Sequence, residues 1–276
     1  MFSKNEQTYL LGDEIVDRIL HEPANPLRQI AEIISRFDGI PKVLDIGAGN
    51  GLLPMLLTSR APQAIIDGIE PNSFAADIAS QHYRNFYTGH AREFLKVIEN
   101  DHYDFIVLAD VIEHMEDPLS FLKDLNSHVS SSASVIISVP NVAFGAVRIG
   151  LMNGQFRYVD SGLLERTHLR FFTYETLIEL VRKSGFCALE TYFLFRDILK
   201  TEIHTSASIK NLLYLLSIRN NALAHVYQFL IVLGKEPADC RHDDPIQIGK
   251  QSRLIREFVR DLWRKVKSLA RRTFKA

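Results

Sequence analysis

The chain has 276 residues, 46% hydrophobic and 24% charged, with a formal net charge of −1; that is the composition of a globular domain large enough for one sizeable α/β core with additions. No window approaches the roughly 18 unbroken apolar residues of a membrane span, and Met1–Thr8 lacks the basic and apolar regions of a secretory leader. Two cysteines, Cys187 and Cys240, form no metal-spacing motif, which argues against a disulfide framework and for a reducing, cytoplasmic setting.

Residues 13–37 carry two amphipathic helix patterns separated by Pro23 and Pro26, so that 1–38 reads as a helical lid. Val43–Ile46 is a short buried strand, with Asp45 near its end and Gly47, Gly49 and Gly51 following at alternate positions. Leu52 opens a helix. Glycines at a strand-to-helix turn let a ligand approach the backbone closely, because no Cβ stands in the way. This is a nucleotide-type pocket. Leu52 occupies the place where a dinucleotide fingerprint needs its third glycine.

The second strand, Ala64–Ile69, ends at Glu70, where an acid in a doubly wound sheet is suited to the ribose hydroxyls of a nucleoside. Two charge-assisted hydrogen bonds of about 1.5–3 kcal/mol each supply much of the roughly 8 kcal/mol of micromolar binding. A helix over Ser73–His82 follows, then a strand near Asn85–Thr88, a strand at Asp104–Leu108, a helix at Leu119–His128 and a strand at Ser134–Val139. The alternation predicts a parallel, doubly wound sheet. From Asn141 to about Thr173 the pattern reads as a polar loop. Tyr174–Ser184 is a helix closed by Gly185, and Phe186–Leu194 and Tyr227–Leu233 are strands with one helix between them. The core is taken as 39–240.

The string Asp45-x-Gly47-x-Gly49-x-Gly51 resembles motif I of the class I methyltransferases. The resemblance spans about residues 30–235 and is tightest over Asp110–Pro118 (D-V-I-E-H-M-E-D-P) and Ser161–Thr173. It implies a Rossmann-like, mostly parallel seven-stranded sheet and S-adenosylmethionine as cofactor. On that resemblance Asp45 takes the cofactor's ammonium group, directly or through water, and Glu70 with Pro71 takes the ribose. His90 and Ala91 stand where an acid or amide commonly reads the adenine, a departure that leaves the contact to His90 or to a backbone carbonyl. Ala109 and Asp110 give backbone contacts beneath the sulfur. The block Ser161–Thr173 resembles a subgroup associated with bacterial surface-polysaccharide and glycolipid gene sets, which implies a sugar hydroxyl as acceptor.

A hydroxyl is a poor nucleophile while protonated, so a base with a pKa near neutrality is useful, and histidine has one. His114 and His168 are the candidates: His168 lies in the polar loop where an acceptor enters, and His114 either shares the task or ties its own loop together. Asn141, Arg166 and Arg170 are the acceptor-binding candidates, the arginines for a phosphate or carboxylate. Phe171 and Phe172 are expected beneath the loop. This reading uses no metal.

An alternative keeps the same residues. Asp110, Glu113 and His114 are spaced i, i+3, i+4, and with His168 they make an O,O,N,N set for a divalent cation, a pattern that resembles the small-RNA 2′-O-methyltransferases and some ubiquinone-pathway O-methyltransferases. Methylation of a small phenolic or lipid-like metabolite, and a non-catalytic scaffold that binds S-adenosylmethionine and recruits a glycosyltransferase, are the other readings.

Residues 250–276 hold ten Lys/Arg and two acids, a local +8 that leaves −9 for the rest. Ile255, Phe258, Leu262, Val266 and Leu269 recur at three- and four-residue steps beside Trp263. This predicts a basic amphipathic helix for an anionic membrane surface, a partner protein or the chain's own acidic body. A peripheral position on the inner face of the cell membrane follows from the first of these. The acidic body disfavours nucleic acid.

Overall fold

The computed structural model describes residues 13–203, 208–235 and 245–249, so the predicted basic helix at 250–276 lies outside the described residues. Five parallel strands form one side of a single sheet: β1 (Lys42–Ile46), β2 (Ile65–Glu70), β3 (Asn85–Thr88), β4 (Phe105–Ala109) and β5 (Ser134–Pro140). Then β6 (Phe186–Phe195) and β7 (Val226–Lys235) pair antiparallel, β7 inserts against β5, and β8 (Ile246–Ile248) adds to the edge of β6. The order is β3-β2-β1-β4-β5-β7-β6-β8. The expected doubly wound sheet is present with eight strands where seven were expected. The extra one, β8, is three residues long, too short for a periodic signal.

The helices in chain order are α1 (Asp13–His21), α2 (Pro26–Ile34), α3 (Leu52–Arg60), α4 (Ser73–Ala79), α5 (Leu95–Asp101), α6 (Pro118–His128), α7 (Gly145–Met152), α8 (Tyr174–Lys183) and α9 (Ile209–Ile218). Local chemistry sets several of their starts. Asn25 caps α2 by accepting from the Leu27 and Arg28 amides, ahead of Pro26 at the first position. Asp117 does the same for α6 through Ser120, again before a proline. The D-P pair that ends the string Asp110–Pro118 is therefore a helix cap.

Two hydrophobic clusters cover the two faces of the sheet, and a third gathers around α7 at its carboxyl end. Helix α7 corrects the expectation of a continuous polar loop from 141 to 173. Gly145 and Gly150 weaken its helical pattern, yet Ala146, Val147 and Ile149 are buried in the third cluster, and tertiary packing supplies the stability that propensity withholds. Gly145 has a steric reason: a Cβ there would stand 2.3 Å from Ile198 Cδ1. Helices α1 and α2 pack beside α3 and bury Ile19, Ile30, Ile33 and Ile34 with it.

A further departure concerns the cysteines. Cys187, buried near the start of β6, is disulfide-bonded, where unbridged thiols were expected; Cys240 lies outside the described residues. No described helix is long and apolar enough to cross a membrane.

Candidate active site

Parallel strands β1, β2 and β4 end side by side, and that edge collects the acids picked out in the sequence. After β1 the chain turns through Gly47, Gly49 and Gly51 at φ values of +74°, +53° and +82°, a run of left-handed residues that only glycine adopts without strain. At Gly47 there is also no room, because a Cβ would lie 2.6 Å from Val111 Cγ2. The turn is held from below by Glu70, whose Oε2 accepts the Gly49 amide and whose Oε1 accepts the Asn72 amide, both at 2.8 Å. Glu70 is nearly buried, so these bonds hold its carboxylate in place while each oxygen keeps a second lone pair. Pro71 follows it, exposed.

Asp45 is 3% exposed and receives the Tyr83 hydroxyl on Oδ2 at 2.7 Å. Burial pushes its pKa up to about 7; the Tyr83 bond opposes the shift and the Glu70 charge adds to it. A buried acid whose charge is disfavoured by desolvation gains from an ammonium group, because the cation offsets that cost. Tyr83 was not legible from the sequence: it lies 38 residues away with nothing local to link it to Asp45. His90 and Ala91 sit beyond β3, His90 exposed with its amide donating to Glu93. The glycine cradle, Glu70 and Asp45 fit an adenosyl ligand with a charged amino-acid tail.

On the other side of β4, Ala109 leads into Asp110, which has a φ of +56° although it is not glycine. Strain of this kind persists where surrounding contacts over-determine it. Here the Asp110 amide donates to the Ser138 carbonyl at 3.1 Å, and Oδ1 accepts from the Ser138 hydroxyl at 3.0 Å and from the Gln228 amide. Asp110 is an exposed residue by surface, yet its carboxylate is enclosed, and burial lifts its pKa to about 6 against the Ser138 and Gln228 bonds. Gln228 did carry a signal that the sequence reading passed over. It is a polar residue inside the apolar strand V-Y-Q-F-L-I-V-L.

Next comes a single 3₁₀ turn, Ile112–His114. The Glu113 carbonyl accepts the amides of Leu169 and Arg170 at 2.8 and 2.9 Å, which pins the loop after β5 onto the end of β4. His114 Nδ1 lies 3.2 Å from the Thr167 carbonyl and His168 Nδ1 3.2 Å from the Leu163 carbonyl. A carbonyl only accepts, so each Nδ1 carries the hydrogen and each Nε2 of the neutral ring keeps its lone pair. The two rings stand edge to face, 4.8 Å apart. Burial lowers the His168 pKa, and His114 beside it lowers it further.

Glu113 is 1% exposed, and neither of its oxygens has a hydrogen-bond partner among the described residues. Burial raises its pKa well above the ordinary carboxylate value, with the Asp110 and Glu165 charges adding to the effect. Ligand atoms of Glu113, His114 and His168 lie within 4.8 Å of one another. The four-residue cation set expected from spacing is therefore reduced to three, because Asp110 is in a left-handed conformation and bonded to Ser138 and Gln228. Glu113, His114, His168 and Asp110 line one cavity of ≈ 290 Å³, together with Tyr227, Gln228 and Pro26 of α2.

The acceptor residues expected from sequence do not gather there. Asn141 is wholly buried, donates both amide hydrogens to the Leu223 and Val226 carbonyls, and accepts the Ala143 amide. It is a structural clamp. Arg170 is turned onto the Glu116 carbonyl and Arg166 onto Asp160 at the surface. Phe172 is buried and Phe171 half-buried, as expected of residues beneath the loop.

With this geometry in hand, residues 9–191 match the family described as "Methyltransferase domain". The chain belongs to that family. It is an S-adenosylmethionine-dependent methyltransferase with the class I fold. Among curated relatives it is 25% identical over 179 residues to a ubiquinone biosynthesis O-methyltransferase of Vibrio vulnificus, covering 61% of this chain and 73% of the relative. A protein of the same description from Rickettsia canadensis is 27% identical over 196 residues, covering 67% and 81%. Among solved structures, a SAM-dependent methyltransferase from Archaeoglobus fulgidus aligns with a TM-score of 0.53 at 18% identity, covering 79% of this chain and 98% of that one. The plantazolicin methyltransferase BamL, in complex with a triazolic desmethylPZN analog and SAH, also aligns at 0.53, with 17% identity and coverage of 84% and 95%.

Proposed function

We propose that this methyltransferase is an O-methyltransferase whose acceptor hydroxyl meets the Glu113, His114 and His168 cluster. The observation that carries the reading is the convergence of those three side chains on one cavity beside the glycine turn. Bound S-adenosylmethionine supplies an already activated methyl group, so the protein's part is to hold the acceptor oxygen in line and to take its proton. His168 takes that proton at Nε2, and its lowered pKa keeps the ring neutral and ready at pH 7. Asp45 and Glu70 would hold the ammonium and ribose of bound S-adenosylmethionine, with Pro71, His90 and Ala91 serving its adenosine and Ala109 and Asp110 its sulfonium end. Helices α1 and α2 act as the lid.

The relatives described as ubiquinone biosynthesis O-methyltransferases favour a small-molecule hydroxyl. A sugar of a surface glycan or glycolipid intermediate is served by the same chemistry and rests on the Ser161–Thr173 resemblance alone. The test is methyl transfer from labelled cofactor to fractionated cell extract. His168→Ala should lower turnover at least about 100-fold with cofactor affinity unchanged; near-normal turnover would remove His168 from the mechanism.

A second reading is favoured by the two unpartnered oxygens of Glu113. A buried carboxylate beside two imidazole lone pairs is a donor set for a divalent cation. Such a cation would lower the acceptor hydroxyl's pKa directly. Metal content of the purified protein, and turnover after chelation and dialysis, decide between the two. Unchanged turnover in the stripped protein excludes the cation.

A further inference from the structure

The reaction cavity is small. At ≈ 290 Å³ it sits at the lower edge of the roughly 300–1,000 Å³ usual for small-molecule sites, enough for one reacting ring or head group. A second cavity of ≈ 590 Å³ adjoins it. Neighbouring residues form the wall between them: Leu163 faces the reaction cavity and Leu164 the second. Glu202 completes that wall. It lines the second cavity, while its Oε1 accepts the Leu163 amide at 2.9 Å and the Tyr227 hydroxyl at 3.0 Å, and Tyr227 lines the first. Gly162 lets the two sides approach, since a Cβ would lie 2.4 Å from the same Glu202 oxygen.

The second cavity has two kinds of lining. Val147 and Ile149 of α7 and Leu164 form a buried apolar floor. Arg157 stands exposed at the cavity, with no hydrogen-bond or ion-pair partner among the described residues. An apolar floor with one uncommitted guanidinium matches an anionic amphiphile, because the floor gains from apolar burial while the guanidinium forks onto a phosphate or carboxylate.

We propose that this second cavity is a binding site of its own for an anionic amphiphile, an apolar chain bearing a phosphate or carboxylate, with the chain on the Val147, Ile149 and Leu164 floor and the anion on Arg157.

The test is calorimetric titration of the full-length protein with decyl phosphate below its micelle concentration, against decyl maltoside and inorganic phosphate. The wild type should saturate with decyl phosphate at one site and show no saturable heat with inorganic phosphate. Val147→Phe, which fills the floor, should weaken decyl phosphate about tenfold or more, the loss of roughly 1.4 kcal/mol. Arg157→Gln should weaken decyl phosphate about fivefold and decyl maltoside by less than about twofold.

S-adenosylhomocysteine binding reports that each variant is folded. If Val147→Phe has lost both ligands, Arg157→Gln alone decides, and an unchanged decyl phosphate affinity in it overturns the proposal. A wild type that binds S-adenosylhomocysteine but not decyl phosphate sinks the second site and leaves the methyltransferase reading intact; the reverse pattern keeps the second site and sinks that reading. Sedimentation with phosphatidate-containing vesicles separates the sources. Sedimentation that Arg157→Gln reduces assigns a lipid-borne amphiphile, and its absence assigns a free one.

Discussion

Glu70 and Glu113 sit at the ends of parallel strands in the same sheet and are buried to similar degrees, 7% and 1% exposed, but the protein treats them oppositely. Glu70 has both oxygens on backbone amides, whereas among the described residues neither Glu113 oxygen has a hydrogen-bond partner. A carboxylate that accepts two backbone amides is held in place before any ligand arrives. A buried carboxylate without partners holds a proton or waits for a cation. One half of the site is thus tied down by backbone amides, and the other, on the proposed reading, is where the acceptor's proton is taken. The contrast shows that burial alone does not say what an acid is for; its hydrogen-bond ledger does.

The largest expected effect comes from emptying the cradle. Glu70→Ala leaves the Gly49 and Asn72 amides without an acceptor, at about 1–3 kcal/mol each. Chemical denaturation should record that loss, and cofactor affinity should fall at least about 100-fold by calorimetry. A variant with normal stability would mean that water replaces Glu70 at no cost, and the contrast with Glu113 would fail.

Glu113→Gln should behave the other way. Turnover should drop about 100-fold, S-adenosylhomocysteine affinity should not change, and the melting temperature at pH 8 should rise. The sign follows from the raised pKa of Glu113: the folded chain loses stability as pH climbs from the ordinary glutamate value through the raised one, and glutamine removes that loss. A lower melting temperature at pH 8 would show that the carboxylate has a partner after all.

Asp45→Asn sharpens the comparison within the cradle. The Asp45 pKa is raised from 3.8 to about 7, so its contribution to stability is full below pH 3.8 and is lost as pH rises through about 7. The variant should therefore gain on the wild type progressively across that window in a melting series, while losing cofactor affinity. A melting difference independent of pH would place the raised pKa elsewhere. For His168 the pH dependence is catalytic: its lowered pKa puts the rising limb of turnover below pH 6.5, and His114→Gln should move that limb upward.

Smaller effects are expected away from the carboxylates. Gly47→Ala meets Val111 at 2.6 Å and a φ of +74°, and should cost about 1–3 kcal/mol of stability. Arg166→Ala, at the surface opposite Asp160, should stay within about 0.5 kcal/mol and leave turnover unchanged. A tenfold loss of turnover there would restore Arg166 to the acceptor site.

What the chain determined by itself was local. Asp45, the three glycines and Glu70 lie at the ends of short apolar strands, so strand, turn and acid are read within a few residues of one another, and the doubly wound sheet follows from repeating that unit. Asp117-Pro118 and Asn25-Pro26 likewise announce their helices. Tertiary structure decided what depends on distant partners: that Tyr83 reaches Asp45, that Gln228 and Ser138 take Asp110 away from the cluster, and that Glu113 is left bare beside His114 and His168. It also made a helix of Gly145–Met152, whose glycines disguise it until the third cluster packs against it. The physical reason is one of range. Backbone conformation and capping are set by neighbours in sequence, while the charge state of a buried acid is set by whichever groups the fold delivers to it.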